Sequence, residues 1–444
     1  MRVAEPQLDV KARFKLRILY AVHGYKPAWR IGGPVISVSS LAEALARRGH
    51  EVIVFTSNSN LDQDLDVPTG RPIDVNGVQV WYFEKSEPLK RLFPNVAYLT
   101  KSLGYLYSPQ MSEALERIVP TVDLLHTHLP FNYPTYAAAH AAFRYRKPLF
   151  YHQRGVFDPE RLKFRSLKKS IYLRFVEIPI LKRATTLIAL TGKEVEHYRR
   201  LGVSTPCRVI PNGIDAESNA IVQDSAMLES IGIRPEHKVV LFLGRIHPVK
   251  GADRLLQAFF QVQQNFPTAV LVMAGPDEFG LEKGFRQRAD AAQLTHRIIF
   301  PGMVHGKLKA QLLSRADLFC LPSSGEGFSM AILEALAHNT AVLISPGCHF
   351  PEVERAGAGR IVGCNELSKA LSEMLSDASA LKQMGIAGHR LVAEQFTWDS
   401  ITDKLLDTYA EGIERYSKRP ELFLSPQRQD ERAGSRKFGE LEIH

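Results

Sequence analysis

The sequence is poor in cysteine: four residues in 444, at positions 207, 320, 348 and 364, with no CxxC pair among them. That count and scatter exclude a disulfide framework and a structural zinc site, and they fit a reducing cytoplasm. Long apolar runs are also missing. No stretch reaches the roughly eighteen residues that a membrane-spanning helix needs, and the opening MRVAEPQLDVKARFK lacks the apolar centre of a secretion signal. The expectation is a soluble or peripheral protein. No GxGxxG follows the first apolar run, which argues against a dinucleotide-binding dehydrogenase. There is no aromatic-and-basic platform and no helix-turn-helix signal, so nucleic acid is disfavoured as a partner.

What is present points to two domains. A chain of 444 residues that is 45% hydrophobic exceeds one ordinary core and suffices for two. The net charge of +9 favours an anionic partner: a phosphorylated small molecule, an acidic membrane surface or nucleic acid.

LRILYAV (16–22), a turn-like HGYKPAWRIGGP, the helical VISVSSLAEALARRGH and EVIVFTS (51–57) form a strand, loop, helix, strand series of the parallel α/β kind. GVQVWYF, TVDLLHTH, PLFYHQR, TTLIAL and CRVIPNG extend it. After a polar, turn-rich stretch from about 216 to 236, KVVLFLGRI opens a second series continued by TAVLVMAG, RIIFPGMV, DLFCLPSS, TAVLISPG and GRIVG. The predicted organisation is a first domain over 1–215 and a second over 216–396. A helix over about 397–417 is expected to pack back on the first domain, followed by a mobile tail over 419–444. Two such units in tandem predict a cleft faced by the carboxyl ends of strands.

The chemistry-bearing residues sit at those ends. In GRIHPVKG (244–251), Arg245 and Lys250 follow an apolar strand and precede a helix, a setting that suits a diphosphate. Two solvated surface charges would look the same. In SSGEGFSMAILEALAHN (323–339), Gly325 and Gly327 let backbone approach a ligand, the N–H groups from Phe328 to Met330 are open to an anion, and Glu326 is expected at the mouth of the cleft. Glu334, flanked by Leu333 and Ala335 in the helix, needs hydrogen-bond donors. Ligand hydroxyls would serve, as would a neighbouring Arg or Lys.

GRIHPVKG followed by EGFSMAILE resembles the donor-site signature of the retaining family 4 glycosyltransferases (glycosyl transferases group 1). YKPAWRIGGP, RRGHEVIVFTS, VIPNGID and AGPD stand in the matching order. The resemblance implies the α/β fold called GT-B, two Rossmann-like domains facing each other across a cleft. It implies an enzyme of the hexosyltransferase type that moves a sugar from a nucleotide-diphosphate sugar to a hydroxyl of a glycan or lipid-linked glycan, with retention, in cell-surface polysaccharide synthesis. Arg245 and Lys250 would hold the diphosphate and stabilise the leaving group. Glu326 would face the sugar, Gly327, Phe328 and Ser329 would hold its phosphate, and Glu334 would accept from ribose hydroxyls. Met303 would lie beside the base, and Gly32 and Gly33 would let an N-terminal loop close on the donor. No metal and no cofactor is expected, the nucleotide sugar being a co-substrate. A nucleotide-sugar epimerase, a sugar-phosphate glycosyltransferase or a non-catalytic partner subunit of the same fold are the competing readings.

On the acceptor side the resemblance points to Arg154, with His152 two residues earlier on the same strand face; His152 could equally be a core residue. Asn339 replaces a glycine usual in relatives and is expected to end its helix in the left-handed conformation. The acidic residues in NLDQDLDVP (60–68) are expected in a solvated loop. Finally, 154–183 holds nine Lys or Arg against Asp158, Glu160 and Glu177, interleaved with apolar residues. A helix lying on an anionic membrane at the inner face of the cell membrane, and a surface helix with its stripe in the core, both fit.

Overall fold

The computed structural model describes residues 15–61, 63–86, 107–159, 167–215 and 224–418, so the tail expected over 419–444 lies outside the described residues. The chain divides into two units. Unit one takes residues up to Ala189, Val195–Arg208 and the chain from Lys404; unit two takes Leu190–Glu194 and Val209–Asp403. The change of unit falls at Arg208, several residues before the 215/216 boundary. The final helix, Trp398–Lys418, is divided between the units after Asp403.

Unit one is built on β1 (Arg17–Ala21), β2 (Glu51–Ser57), β3 (Ser59–Asn60), β4 (Gln63–Asp64), β5 (Pro72–Val75), β6 (Val78–Phe83), β7 (Leu124–His128), β8 (Leu149–His152), β9 (Thr186–Ala189) and β10 (Cys207–Val209). Eight of these form one sheet in the order β10-β9-β8-β7-β1-β2-β6-β5. β5 pairs antiparallel with β6, and the other pairings from β6 to β9 are parallel. β3 and β4 make a small hairpin, so NLDQDLDVP is partly ordered, with Asp64 2.8 Å from Lys85 Nζ.

Unit two holds β11 (Lys238–Leu243), β12 (Ala269–Ala274), β13 (Ile298–Gly302), β14 (Leu318–Leu321), β15 (Ala341–Ile344) and β16 (Gly359–Ile361), all parallel, in the order β13-β12-β11-β14-β15-β16. Read in chain order this is 3-2-1-4-5-6, the doubly wound arrangement. A parallel sheet is covered on both faces, which is why its strands are apolar runs rather than alternating ones. VVLFL, AVLVMA and LFCL are buried throughout. Each Val, Leu, Ile or Phe enclosed in this way stabilises the unit by about 1.5–3 kcal/mol.

The order reverses between β11 and β14 in unit two, and between β1 and β7 in unit one. At such a point neighbouring strands send their connections to opposite faces. Their carboxyl ends splay and leave a crevice.

Candidate functional site

In unit two the reversal point is lined by the two loops singled out by sequence. After β11 the chain runs through Gly244 and Arg245 to a 3-10 turn, Pro248–Lys250, and into the helix Ala252–Val262. His247 opens the turn, its Nδ1 accepting from the Val249 N–H at 3.0 Å. After β14 the chain passes Pro322–Ser329 into the helix Met330–Ala337.

The structure brings Lys250 and Glu326 together: the ammonium lies 2.8 Å from the carboxylate. Glu326 is only 7% exposed, so it is enclosed rather than standing open as expected. The reason is local. Its N–H donates to Gly347 O at 2.9 Å, which draws the loop after β14 down onto the loop after β15. Ser324 N donates to Val249 O at 2.8 Å and Ser323 Oγ to the same oxygen at 3.0 Å, tying it to the turn that carries Lys250.

Three glycines make these approaches possible. A Cβ at Gly251 would stand 2.1 Å from Pro322 O, one at Gly275 1.9 Å from Gly244 O, and one at Gly347 2.4 Å from Ser323 O. The loops beyond β12, β11, β14 and β15 therefore touch backbone to backbone. Gly251 is also left-handed, with φ +75°, which only glycine adopts freely.

The helix Met330–Ala337 is composed of strong helix formers, and Ser329 at its N-cap gives no side-chain hydrogen bond to the first turn. Its opening N–H groups are thus left for an anion. Phe328 is partly buried against Phe350 and Phe396, ring centroids 5.4 and 6.1 Å away, and so anchors the loop beside Ser329 and Gly327. At the far end Asn339 takes φ +57°, the helix-ending conformation anticipated for it.

Glu334 is partly exposed and lies 2.6 Å from Lys309 Nζ, so the protein itself supplies the donor that its apolar neighbours do not. Lys309 belongs to the helix Gly306–Arg315 that follows β13. Met303, between that strand and that helix, is 62% exposed. Arg245 is not part of the Lys250–Glu326 pair; its guanidinium is half-exposed and 2.6 Å from Glu278. Glu278 and Lys309 were missed in the sequence, each lying far along the chain from its partner.

Unit one places its residues differently. Gly32 (φ +94°) and Gly33 lie at the start of the helix Gly33–Arg47, and nothing within 4 Å would meet a Cβ on either. His152 ends β8 and is sealed in the sheet. Arg154 is not on the strand face with it: the strand stops at His152, and Arg154 turns away at φ +52°. Its guanidinium is buried, Nε donating to His128 Nδ1 at 3.2 Å and NH1 to Ser37 Oγ at 2.9 Å.

Sequence reasoning also missed His126 and His128. HTH at the end of β7 puts both on one face by the two-residue period, and the register sets His128 beside His152. The alternation was the available signal. All three rings are buried, and one nitrogen from each lies within 4.8 Å of those of the other two. Burial, with the nearby Arg154 charge, holds each well below the ordinary histidine range, so they are neutral. This trio has the donor atoms for a metal, yet the arrangement opposes one. Arg154 can only donate, so His128 accepts at Nδ1 and keeps its proton on Nε2, and the guanidinium repels a cation. Below them His126 Nδ1 is 2.6 Å from Tyr409 OH, itself 3.1 Å from Tyr20 OH.

Two units of this Rossmann-like kind define the GT-B class of α/β protein. The solved structure of Anabaena Alr3699/HepE in complex with UDP and glucose has the same fold, with a TM-score of 0.66, 19% identity, and 89% of this chain and 100% of that one covered. Residues 31–218 match the profile described as Glycosyltransferase Family 4, and residues 224–391 that described as Glycosyl transferases group 1. The chain belongs to the family 4 glycosyltransferases. It is 29% identical over 249 residues to a D-inositol 3-phosphate glycosyltransferase of Mycobacterium ulcerans, a stretch spanning about half of either protein (53% of this chain, 52% of the relative). Against the protein of that name from Gordonia bronchialis it is 26% identical over 404 residues, 87% of this chain and 86% of the other.

Proposed function

We propose that the chain transfers a sugar, with retention at the anomeric carbon, from a nucleotide-diphosphate sugar to a hydroxyl of a glycan or glycolipid. The observation that carries this reading is the Lys250–Glu326 pair, joined to an uncapped helix N-terminus at the reversal point of unit two's sheet. Cations and free N–H groups suit a diphosphate, and a neighbouring carboxylate suits sugar hydroxyls. The family relationship and the UDP named with the HepE structure support a nucleotide sugar as the ligand.

In this scheme the diphosphate takes over Lys250 and recruits Arg245 from Glu278, while the N–H groups of Phe328 and Ser329 hold a phosphate oxygen. Glu326, freed of Lys250, accepts from the sugar. Glu334 exchanges Lys309 for ribose hydroxyls, with the base towards Met303, and in unit one the backbone of Gly32 and Gly33, which no side chain covers, has the openness that the family resemblance asks of those two positions. The bond from the anomeric carbon to the phosphate oxygen breaks. The acceptor oxygen bonds to the same face of that carbon, and its proton passes to the leaving diphosphate. Lys250 and Arg245 stabilise the charge that grows there, so the reaction runs without a metal or cofactor. Arg154 and His152 belong to the acceptor side, where buried Arg154 orders the chain around the site rather than meeting a ligand in the open. An acceptor carried on a lipid would bring the chain to the cytoplasmic face of a membrane, in cell-surface polysaccharide synthesis.

The test is release of nucleotide from a panel of UDP-, GDP- and ADP-sugars with and without acceptor, with the product anomer assigned by NMR and a parallel assay in EDTA. Acceptor-dependent release, retained configuration and indifference to EDTA are expected. Release without an acceptor, or an epimerised sugar, would move the reading to an epimerase or a sugar-phosphate glycosyltransferase. No turnover with any donor would favour a non-catalytic subunit.

A further inference from the structure

Leu167–Tyr172, Leu173–Glu177 and Ile178–Arg183 of unit one run as one continuous helix whose middle five residues are wound as a π-helix. It carries two apolar faces. Leu173, Ile180 and Leu181 are buried in unit one's core, and Val176 and Ile178 pack against it. Leu167, Ile171 and Phe175 point elsewhere and are 77%, 51% and 69% exposed. Spaced four residues apart, they fall on one side of the helix, within about 80° at α-helical pitch and within less where the π turn widens it. The sequence left a core stripe and a membrane stripe as equal readings, and the helix has both. A stripe serving the core alone would not leave these three side chains in water.

The charges on the outward surface are of one sign. The only carboxylate between 167 and 183 is Glu177, and it is buried, accepting from Phe131 N at 2.7 Å and Tyr151 OH at 2.6 Å. Lys169, Arg174 and Lys182 are exposed. The preceding RLKFRS, outside the described residues, adds three more basic residues in sequence.

We propose that this face seats unit one on an anionic lipid bilayer, with Leu167, Ile171 and Phe175 entering the boundary between headgroups and acyl chains and the cations lying on lipid phosphates. Three side chains give only marginal insertion, so attraction to anionic lipid has to supply the rest. A protein partner would have to be acidic over the whole rim, whereas an anionic bilayer meets both features at once. The argument rests on this helix and not on the transfer reaction.

The test is sedimentation of the full chain with vesicles. Wild type binds vesicles of phosphatidylglycerol and phosphatidylcholine in equal parts, does not bind phosphatidylcholine alone, and is released by salt. Replacing Leu167, Ile171 and Phe175 together by Ser lowers partitioning at least about ten-fold. Circular dichroism, thermal midpoint and nucleotide release with a water-soluble acceptor stay unchanged, because the residues are exposed and remote in sequence from the donor loops. The Lys169→Ala and Arg174→Ala changes each lower partitioning about five-fold. Wild type failing to bind the mixed vesicles, or the triple variant binding as wild type does, overturns the proposal. So does a dimer that the triple variant breaks in the absence of vesicle binding, which would make the face a contact between copies. Each of these outcomes leaves the donor reaction intact, so failure here is distinct from failure of the proposed function.

Discussion

The two sheets share a winding but treat polarity in opposite ways. Unit two keeps the strands beside its reversal point apolar and puts its charges in the segments that connect them, in pairs such as Lys250–Glu326 on loops and Lys309–Glu334 on helices. Unit one brings polarity into the sheet itself: Tyr20, His126, His128 and His152 lie buried on β1, β7 and β8, closed off by Tyr409 and Arg154. A loop-borne ion pair can exchange one partner for a ligand at little cost, because both charges stay partnered. A sealed histidine cluster can exchange nothing, and its protonation acts on the fold. Unit two's loop pair is suited to binding, and unit one's sealed polar cluster to holding a shape.

Acid should break the comparison most strongly. The native histidines at 126, 128 and 152 titrate well below 6.5, whereas in the unfolded chain they titrate near 6.5. The unfolded state therefore binds more protons once the pH falls below about 6.5, and stability present above that value is lost below it. Three such groups cost unit one up to about 4 kcal/mol between pH 7.5 and 5.5. Glu177 acts the other way. Burial raises it to about 7, so its contribution is present below about 4.5 and fades as pH rises through 7, one proton against three. In unit two no histidine is fully buried among the described residues. Denaturant titrations at the two pH values, followed by Trp81 in unit one and Trp398 in unit two, should show unit one weakening far more. Equal weakening would refute the contrast.

Next in size is Lys250→Ala, expected to lower kcat about 10²–10³-fold while circular dichroism stays unchanged, since the lost charge acts where the leaving group forms. Gly251→Ala should destabilise unit two by about 2 kcal/mol, from the clash with Pro322 O and the left-handed φ, read as a lower urea midpoint. The smallest effect belongs to Glu334→Gln. Without donor, stability moves by less than about 1 kcal/mol, because the Lys309 pair is partly exposed. Donor affinity should fall about ten-fold by calorimetry. If Glu334→Gln instead destabilised the protein without touching affinity, Glu334 would be a structural residue only.

Much of this was legible in the sequence, for reasons that differ by element. The sheet strands showed as apolar runs because parallel sheets bury both faces, and Gly325-Glu326-Gly327 showed because glycines flanking a charge between a strand and a helix are locally unusual. β5 was missed, its PIDV being short and half-polar at the sheet edge. Lys309 and Glu278 could not be paired with Glu334 and Arg245, because such partnerships are set by packing across 25 and 33 residues. Arg154 was placed on a strand face because the end of β8 at His152 leaves no sharp mark in YHQRG.

The backbone contacts at Gly251, Gly275 and Gly347 reach beyond stability. Four loops that lean on one another main chain against main chain are ordered when the protein folds, so a ligand meets a surface whose conformational entropy has already been given up. They also divide the rim into two kinds of position. At the three glycines any side chain meets backbone and costs stability, while beside them Arg245, Lys250, Ser324 and Glu326 can be replaced with the main-chain contacts left in place. Such a rim can change its preference for a ligand one residue at a time without first having to learn a new shape.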